Sequence, residues 1–578
     1  MATLQQKKVN GHKYWYIVES RRVNGKPRPV VLEYLGKAED LLRRLKDVQK
    51  GIKLKSYAHG SVAALLSIAE KLGICQSINK QVKASKNYMA KTPIRNHLTT
   101  GATLMLAAIG RSCTIASKDA WSDWARTTSL EYLLSLNFSK IDSQHFWDMM
   151  DSFPEEAIEK VETEILQNVA KMYSIESDTL FYDTTNYYTF INTTNQHSSL
   201  ARRGKNKQKR SDLKQIGLAL VVTRKDMIPL FHHTYEGNMN DSKVFKSVVG
   251  KIKDRLTALG MKLENHTLVF DRGNNSKKNL ELLQELGMHY VGALTPYHHK
   301  QLLEESASQM QDVTVNGETL SACKLRKNIW ERDMVIVVTI SDKLKEGQIR
   351  EIYNNIDKCE HALIKINTSL LKSSSKKRTK DQLDTSIKSV LSKHQMSSII
   401  SYSIDVDADS NMRINYQIQY ATLANIEEDM GFRILMTDRH SWETAEIIKA
   451  YHGQSFVENT FKNMKNQQHL SFHPQYHWTD HKIKVHNFCC VLGYLMSALV
   501  WKQAREKADF EGSLDTLLRT LDKIRLGTIL ENTGSKGRPK AIYMLETTDE
   551  VENKLLSALN ITEYHLNRPT INGLSVYN

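Results

Sequence analysis

At 578 residues the chain is too long for a single hydrophobic core, and length alone predicts about three to four domains. Hydrophobic residues at 40% and charged residues at 25% are ordinary for a folded protein and exclude global disorder. The excess of 80 Lys plus Arg over 64 Asp plus Glu, a net charge of +16, points to a polyanionic partner, because neutralising phosphates and releasing their counterions drives nucleic-acid binding.

The first element predicted is a β-hairpin over 1–37, where YWYIVESRRVNGKPRPVVLEYLG carries Asn24-Gly25 between two β-rich runs. The N-terminus has no apolar core of signal-peptide length, so a cytoplasmic protein is expected. From 38 to 175 apolar residues recur three and four apart, as in SVAALLSIAEKLGI, which predicts a helical region for DNA-end binding or dimerisation.

Residues 176–298 switch to α/β: the strand TLFYD, the two runs QIGLALVVT and MIPLFHHTY, and a helix starting at Asn240 or Asp241 and stopping at Gly260. The strand HTLVFD, a second helix and the strand HYVGAL follow. The order β-β-β-α-β-α-β, with an acid on the first strand and another ending the fourth, predicts an RNase H-like core. A β-rich insertion domain is expected over 299–436, the second part of the core over 437–500, and a helical region over 501–578. The whole reads as a multidomain α+β protein whose α/β catalytic core is interrupted once. Within it the apolar run at 488–501 is too short to span a bilayer and reads as a buried helix.

Three carboxylates fit a phosphoryl-transfer site: Asp183 in YDTT, Asp271 in FDRG, and Glu458 on a helix predicted over 441–465. Asp178 precedes its strand and fits a turn better. Two divalent ions need hard oxygen ligands, and Mg²⁺ is held by a few carboxylates plus phosphate oxygens and water. Asp183 is expected to bridge the metals, with Asp271 and Glu458 each completing one side. On a continuous helix Tyr451, Gln454, Glu458, Lys462 and Lys465 fall within an arc of roughly 80°, a stripe able to grip DNA phosphates. The basic segment at 202–214 adds Arg202, Arg203, Lys205, Lys207, Lys209 and Arg210 as candidate DNA contacts. Six scattered cysteines without a C-x-x-C pair, and five histidines between 469 and 486 without four-ligand spacing, argue against structural zinc.

The spacing Y-x2-Q-x3-E-x6-K at 451–465 resembles the Y-x2-R-x3-E-x6-K signature of the IS-four family of bacterial DDE transposases, and YDTT and FDRG resemble its two aspartate motifs. The resemblance covers about 175–480. It implies cut-and-paste transposition of an insertion sequence: nicking at the element ends, a hairpin intermediate, and strand transfer by the freed 3′-hydroxyl. Two Mg²⁺ or Mn²⁺ ions per site, terminal inverted repeats and target DNA as partners, and a homodimeric synaptic complex come with it. Asp183, Asp271 and Glu458 become metal ligands by position, and Tyr451 and Lys465 contacts to end phosphates, with Lys462 beside them. Gln454 departs from the signature, since an amide cannot form the charged bidentate fork of arginine. Trp330 and Trp442 are equal candidates to stack on a flipped end base. The competing readings are an RNase H-like nuclease and a domesticated DNA-binding protein.

Overall fold

A computed structural model describes residues 2–23, 26–40, 42–43, 52–84, 97–204, 210, 212–370, 378–406, 412–531 and 540–576. The predicted Asn24-Gly25 turn and Lys205, Lys207 and Lys209 lie outside the described residues. The chain divides into two compact units, one of 1–161, 463–474 and 485–578, the other of 162–462 and 475–484.

In the first unit the N-terminal region is a three-stranded antiparallel sheet, β1 (Ala2–Val9), β2 (His12–Val23) and β3 (Lys26–Gly36), not a lone hairpin. The extra strand comes from the turn at Asn10-Gly11, where both residues take positive φ, 45° and 78°. A further strand, β4 (Ile52–Ala58), precedes the buried helix Gly60–Leu72. The apolar periodicity of 60–172 does produce helices, among them Thr100–Cys113 and Ala157–Met172.

The second unit is built on a nine-stranded sheet. Its strands are β5 (Thr179–Tyr188), β6 (Gln215–Thr223), β7 (Pro229–Glu236), β8 (Thr267–Val269), β9 (His289–Leu294), β10 (Gln311–Val315), β11 (Glu318–Ile329) and β12 (Arg332–Ile340). The hairpin β13 (Ile400–Val406) and β14 (Met412–Ile418) stands apart, and β15 (Phe432–Thr437) rejoins the large sheet in the order β10-β11-β12-β15-β9-β8-β5-β6-β7. Strands β5, β6 and β7 are antiparallel, whereas β5, β8 and β9 run parallel. Helix Asp241–Ala258 connects β7 to β8, and Lys277–Glu285 connects β8 to β9. β6 is buried along its whole length, the pattern of an internal strand covered on both faces.

Within the predicted β-rich insertion at 299–436, β10, β11, β12 and β15 join the large sheet, and the stretch between β12 and β15 adds helices to the β13–β14 hairpin. Helices Asp342–Leu370 and Lys380–Lys393 pack on the β13–β14 hairpin around Ile356, Leu363, Leu383, Ile387 and Ile414. The periodic apolar positions Ile352, Ile356, Cys359 and Leu363 of the longer helix outweigh the β-branched content of the segment. The C-terminal region is also not wholly helical. β16 (Arg525–Glu531) and β17 (Lys540–Leu545) pair with each other, and β16 pairs antiparallel with β4. Helix Asp480–Ala508 contains the apolar run; it is long and apolar enough to cross a membrane, yet 94% of its apolar window is buried in protein.

Candidate active site

The register of two parallel strands brings the first two acids together. Phe181 on β5 is level with Val269 on β8, the last residues of that parallel pairing, and each acid follows two residues further along its own strand segment. Asp183 is half-buried on β5 opposite Leu220 of β6. Asp271 leaves β8 as the cap of a short 3-10 turn, where its Oδ1 accepts from Gly273 N at 2.9 Å and from Asn274 Nδ2 at 3.1 Å.

A third carboxylate, Asp241, lies near Asp271. Asp241 opens the helix behind β7, while the capping role falls to Asn240, whose side chain accepts from Ser242 N. The Asp241 Oδ1 accepts from Thr184 Oγ1 at 2.7 Å, one residue beyond Asp183. A methyl group built on Gly273 would lie 3.2 Å from Asp271 Oδ1 and 3.7 Å from Asp241 Oδ2, so the two carboxylates flank one small space. The phenol of Tyr182 registers the cluster. Burial first, then Tyr235 and the charges of Asp183, Asp241 and Asp271, push it well above the usual tyrosine range.

Glu458 approaches from the helical side, on a helix that is not continuous. The predicted span at 441–465 is two helices, Thr444–His452 and Gln454–Met464, meeting at Gly453. A Cβ at Gly453 would stand 2.4 Å from Phe181 Cζ, so the missing side chain is what lets the helix pair lie against β5. Glu458 and Lys462 are exposed on the second helix. Tyr451 is half-buried; burial raises its phenol pKa, Asp271 and Glu458 raise it further, and Arg433 and Arg272 oppose them. Tyr451 therefore has both acids in its electrostatic surroundings.

The predicted five-residue stripe does not hold. Gln454 is 7% exposed and turns into the sheet, where its Nε2 donates to the Tyr182 carbonyl at 3.0 Å. Its amide serves the helix–strand contact and not the solvent face. Lys465 falls beyond the helix end, in the first unit, where its charge and the larger effect of burial hold the His473 imidazole down to about 4. Beside Asp271 opens a cavity of about 460 Å³ lined by Arg272, Arg433, Lys300, Tyr297 and Tyr451, with the Arg433 guanidinium 5.4 Å from the Tyr451 ring centre. This cationic, aromatic pocket had no signal in local sequence, because the turn after β8, the segment after β9, β15 and the helix Thr444–His452 supply it jointly.

The remaining candidates are spread out. Arg202 and Arg203 are exposed, and Arg210 is exposed, paired with Asp212 and set 5.6 Å from the Tyr188 ring. Trp330 and Trp442 are half-buried, the latter 5.4 Å from the Arg439 guanidinium. His469 is held between Asp515 and Asp522, and His477 against Gln475. Among the described residues no three His, Cys, Asp or Glu side chains are already gathered as a metal cage. The acids near Tyr182 are nonetheless all hard oxygen donors, and a Mg²⁺-type ion needs only one or two of them besides water and phosphate. The residues fit such an ion in chemical type.

A mixed sheet with Asp183 on β5, Asp241 beside Asp271 after β8, and a basic pocket lined by Arg272 suits a polynucleotide-processing enzyme. The "Transposase DDE domain" family model matches residues 189–478, half of the chain, and the chain belongs to this family. It is a DDE transposase, an enzyme that cleaves DNA, and such domains work with divalent metal ions. The match begins just past β5, so Asp241, Asp271 and Glu458 lie inside it and Asp183 just outside. A second model, "IS1634 family transposase, N-terminal domain", matches residues 3–59 and favours that group over the IS-four group suggested by the helical spacing. No curated protein matches the chain at a significant level. Among solved structures, a chain of the "piggyBac transposase synaptic complex with hairpin DNA" is similar over 79% of each chain, at 10% identity and a TM-score of 0.36.

Proposed function

We propose that this transposase cuts and joins DNA at a site formed by Asp183, Asp271 and Glu458, with Asp241 as a fourth carboxylate, on an RNase H-like core. The observation carrying this reading is the parallel pairing of β5 with β8 up to Phe181 and Val269, each two residues before its acid. The order β7-β6-β5-β8-β9, with three antiparallel strands followed by two parallel ones, supports the RNase H-like assignment.

Asp183, Asp271 and Glu458 would hold two divalent ions, Mg²⁺ or Mn²⁺, which when bound supply a polarised nucleophile and charge neutralisation at the departing 3′ oxygen. The chain's own groups do the positioning. Asp241 fixes Thr184 and so the backbone next to Asp183. Arg272 and Arg433 bring permanent positive charge to the pocket floor, and exposed Lys462 holds a backbone phosphate as a point charge. Tyr451 presents its ring beside Arg433 to the strand being cut. Since Gln454 faces inward, a hairpin intermediate would be steadied by these cations and not by residue 454. The substrates are terminal repeats and target DNA, handled by a homodimer in a synaptic complex.

The test is cleavage and strand transfer of labelled element ends in Mg²⁺. Asp183→Asn, Asp271→Asn and Glu458→Gln should each abolish both while leaving end binding intact. A variant that still cleaves normally removes its residue from the site, and cut ends without joined products from the unaltered protein would reduce the function to a nuclease.

A further inference from the structure

Beyond the acid site, the second unit carries exposed aromatic rings that the cutting reaction does not use. Phe190, Tyr476 and Trp478 are 45%, 55% and 45% exposed. They are not scattered. Phe190 lies 5.5 Å from Tyr188 and 5.5 Å from Tyr476, centre to centre, and Trp478 lies 5.1 Å from the His197 ring. Exposed rings gathered on two neighbouring segments show apolar area that a monomer gains nothing from presenting to water.

The row is held in place by its backbone. Phe190 N donates to the Gln475 carbonyl at 3.0 Å, which fixes the two aromatic segments side by side. The carboxylate of Asp480 accepts from Ser198 Oγ at 2.6 Å, Ser199 N at 3.0 Å and Leu200 N at 3.1 Å, clamping the same segments a second time. Cations flank the rings. Arg210 sits over Tyr188 while sharing its charge with Asp212, and Arg202 Nε donates to the Ser199 carbonyl at 2.9 Å. Rigid exposed rings bordered by guanidinium groups match bases with their phosphates better than they match an apolar protein face.

We propose that Tyr188, Phe190, Tyr476 and Trp478 form a stacking platform for unpaired DNA bases, distinct from the acid site. Tyr188 is five residues along β5 from Asp183, roughly 17 Å at strand spacing. That distance spans at most about five nucleotides, the number at the 3.4 Å spacing of a duplex strand. By strand alternation Tyr188 and Asp183 face opposite sides of β5, so the platform is a surface separate from the acid site.

The test measures binding of the full-length protein to fluorescent oligothymidylate and to blunt duplex of unrelated sequence, without Mg²⁺. Phe190→Ala, Tyr476→Ala and Trp478→Ala should each weaken oligothymidylate binding about tenfold, leave duplex binding unchanged, and be rescued by Phe190→Trp and Tyr476→Phe at the corresponding positions. Emission of Trp478, taken as the difference between the unaltered protein and Trp478→Phe, should be quenched by oligothymidylate. Unchanged oligothymidylate binding, or equal loss on duplex, overturns the proposal. So does self-association that the alanine variants abolish, which would make the face an interface between copies. Because no cleavage is read, failure of the acid assignments leaves this result standing, and the reverse.

Discussion

The close approach at Gly453 allows the placement of Glu458 to be tested without touching an acid. In Gly453→Ala the new Cβ would meet Phe181 Cζ at 2.4 Å and Cε1 at 2.5 Å, where ordinary contact is 3.4–4 Å. Backbone strain is not the obstacle, since φ −64° and ψ −8° suit alanine, and the change narrows the unfolded ensemble, stabilising by about 0.4–1 kcal/mol. Overpacking costs about 1–3 kcal/mol and should win, leaving a net loss on the order of 1 kcal/mol. The helix must retreat from β5 by about 1 Å, and displacement of that size lowers reaction rates about 100-fold. Single-turnover cleavage of labelled ends, with urea unfolding alongside, separates the two effects: a large rate loss with a small stability loss is expected. Phe181→Leu in the same chain should restore much of the rate by vacating the ring position. If Gly453→Ala cleaves at the wild-type rate, the contact with Phe181 does not set the position of Glu458 and the proposed geometry is wrong.

Gln454→Arg, which would restore the arginine of the helical signature, should lower stability by about 1–3 kcal/mol because the buried amide bonded to Tyr182 is replaced by a charge; melting shows the loss, and a gain in hairpin formation would contradict it. Asp241→Asn should weaken Mn²⁺ binding and cleavage about 10–100-fold, read by metal titration as well as by activity. His469 loses proton affinity through burial, but Asp522 and Asp515 outweigh this and raise its pKa above 6.5. The folded state then holds the proton more tightly, so the stabilisation is complete below pH 6.5 and is lost as pH rises through the raised value. His469→Gln should flatten the melting temperature across that interval, and an unchanged profile would refute the assignment.

What could be read from sequence was whatever local periodicity encodes. The apolar runs ending in Asp183 and Asp271 announced two strands, although β5 continues past Asp183 to Tyr188, and the element order of 179–294 followed from alternation and helix caps. Asp241 was hidden because an acid at a helix start has a sufficient local explanation; only the bond to Thr184 gives it another. The break at Gly453 was equally silent, since one glycine in a helical pattern is tolerated and its reason, Phe181, lies far away in sequence. The pairing of β4 with β16, such as Ser56 with Gly527, joins segments no local window contains. The inward turn of Gln454 likewise depends on a strand carbonyl that helix geometry alone does not supply.

The module between β12 and β15 begins and ends at one place: Ile340 pairs with Phe432, and Ser341 N donates to the Gly431 carbonyl at 3.0 Å. To the rest of the sheet, the intervening residues are a detour between two adjacent strands. Lengthening such a detour costs the sheet only a slowly growing closure entropy. This doorway is therefore a natural site of evolutionary traffic, where domains of different size can be gained, exchanged or trimmed to a turn while the register carrying the acids stays put.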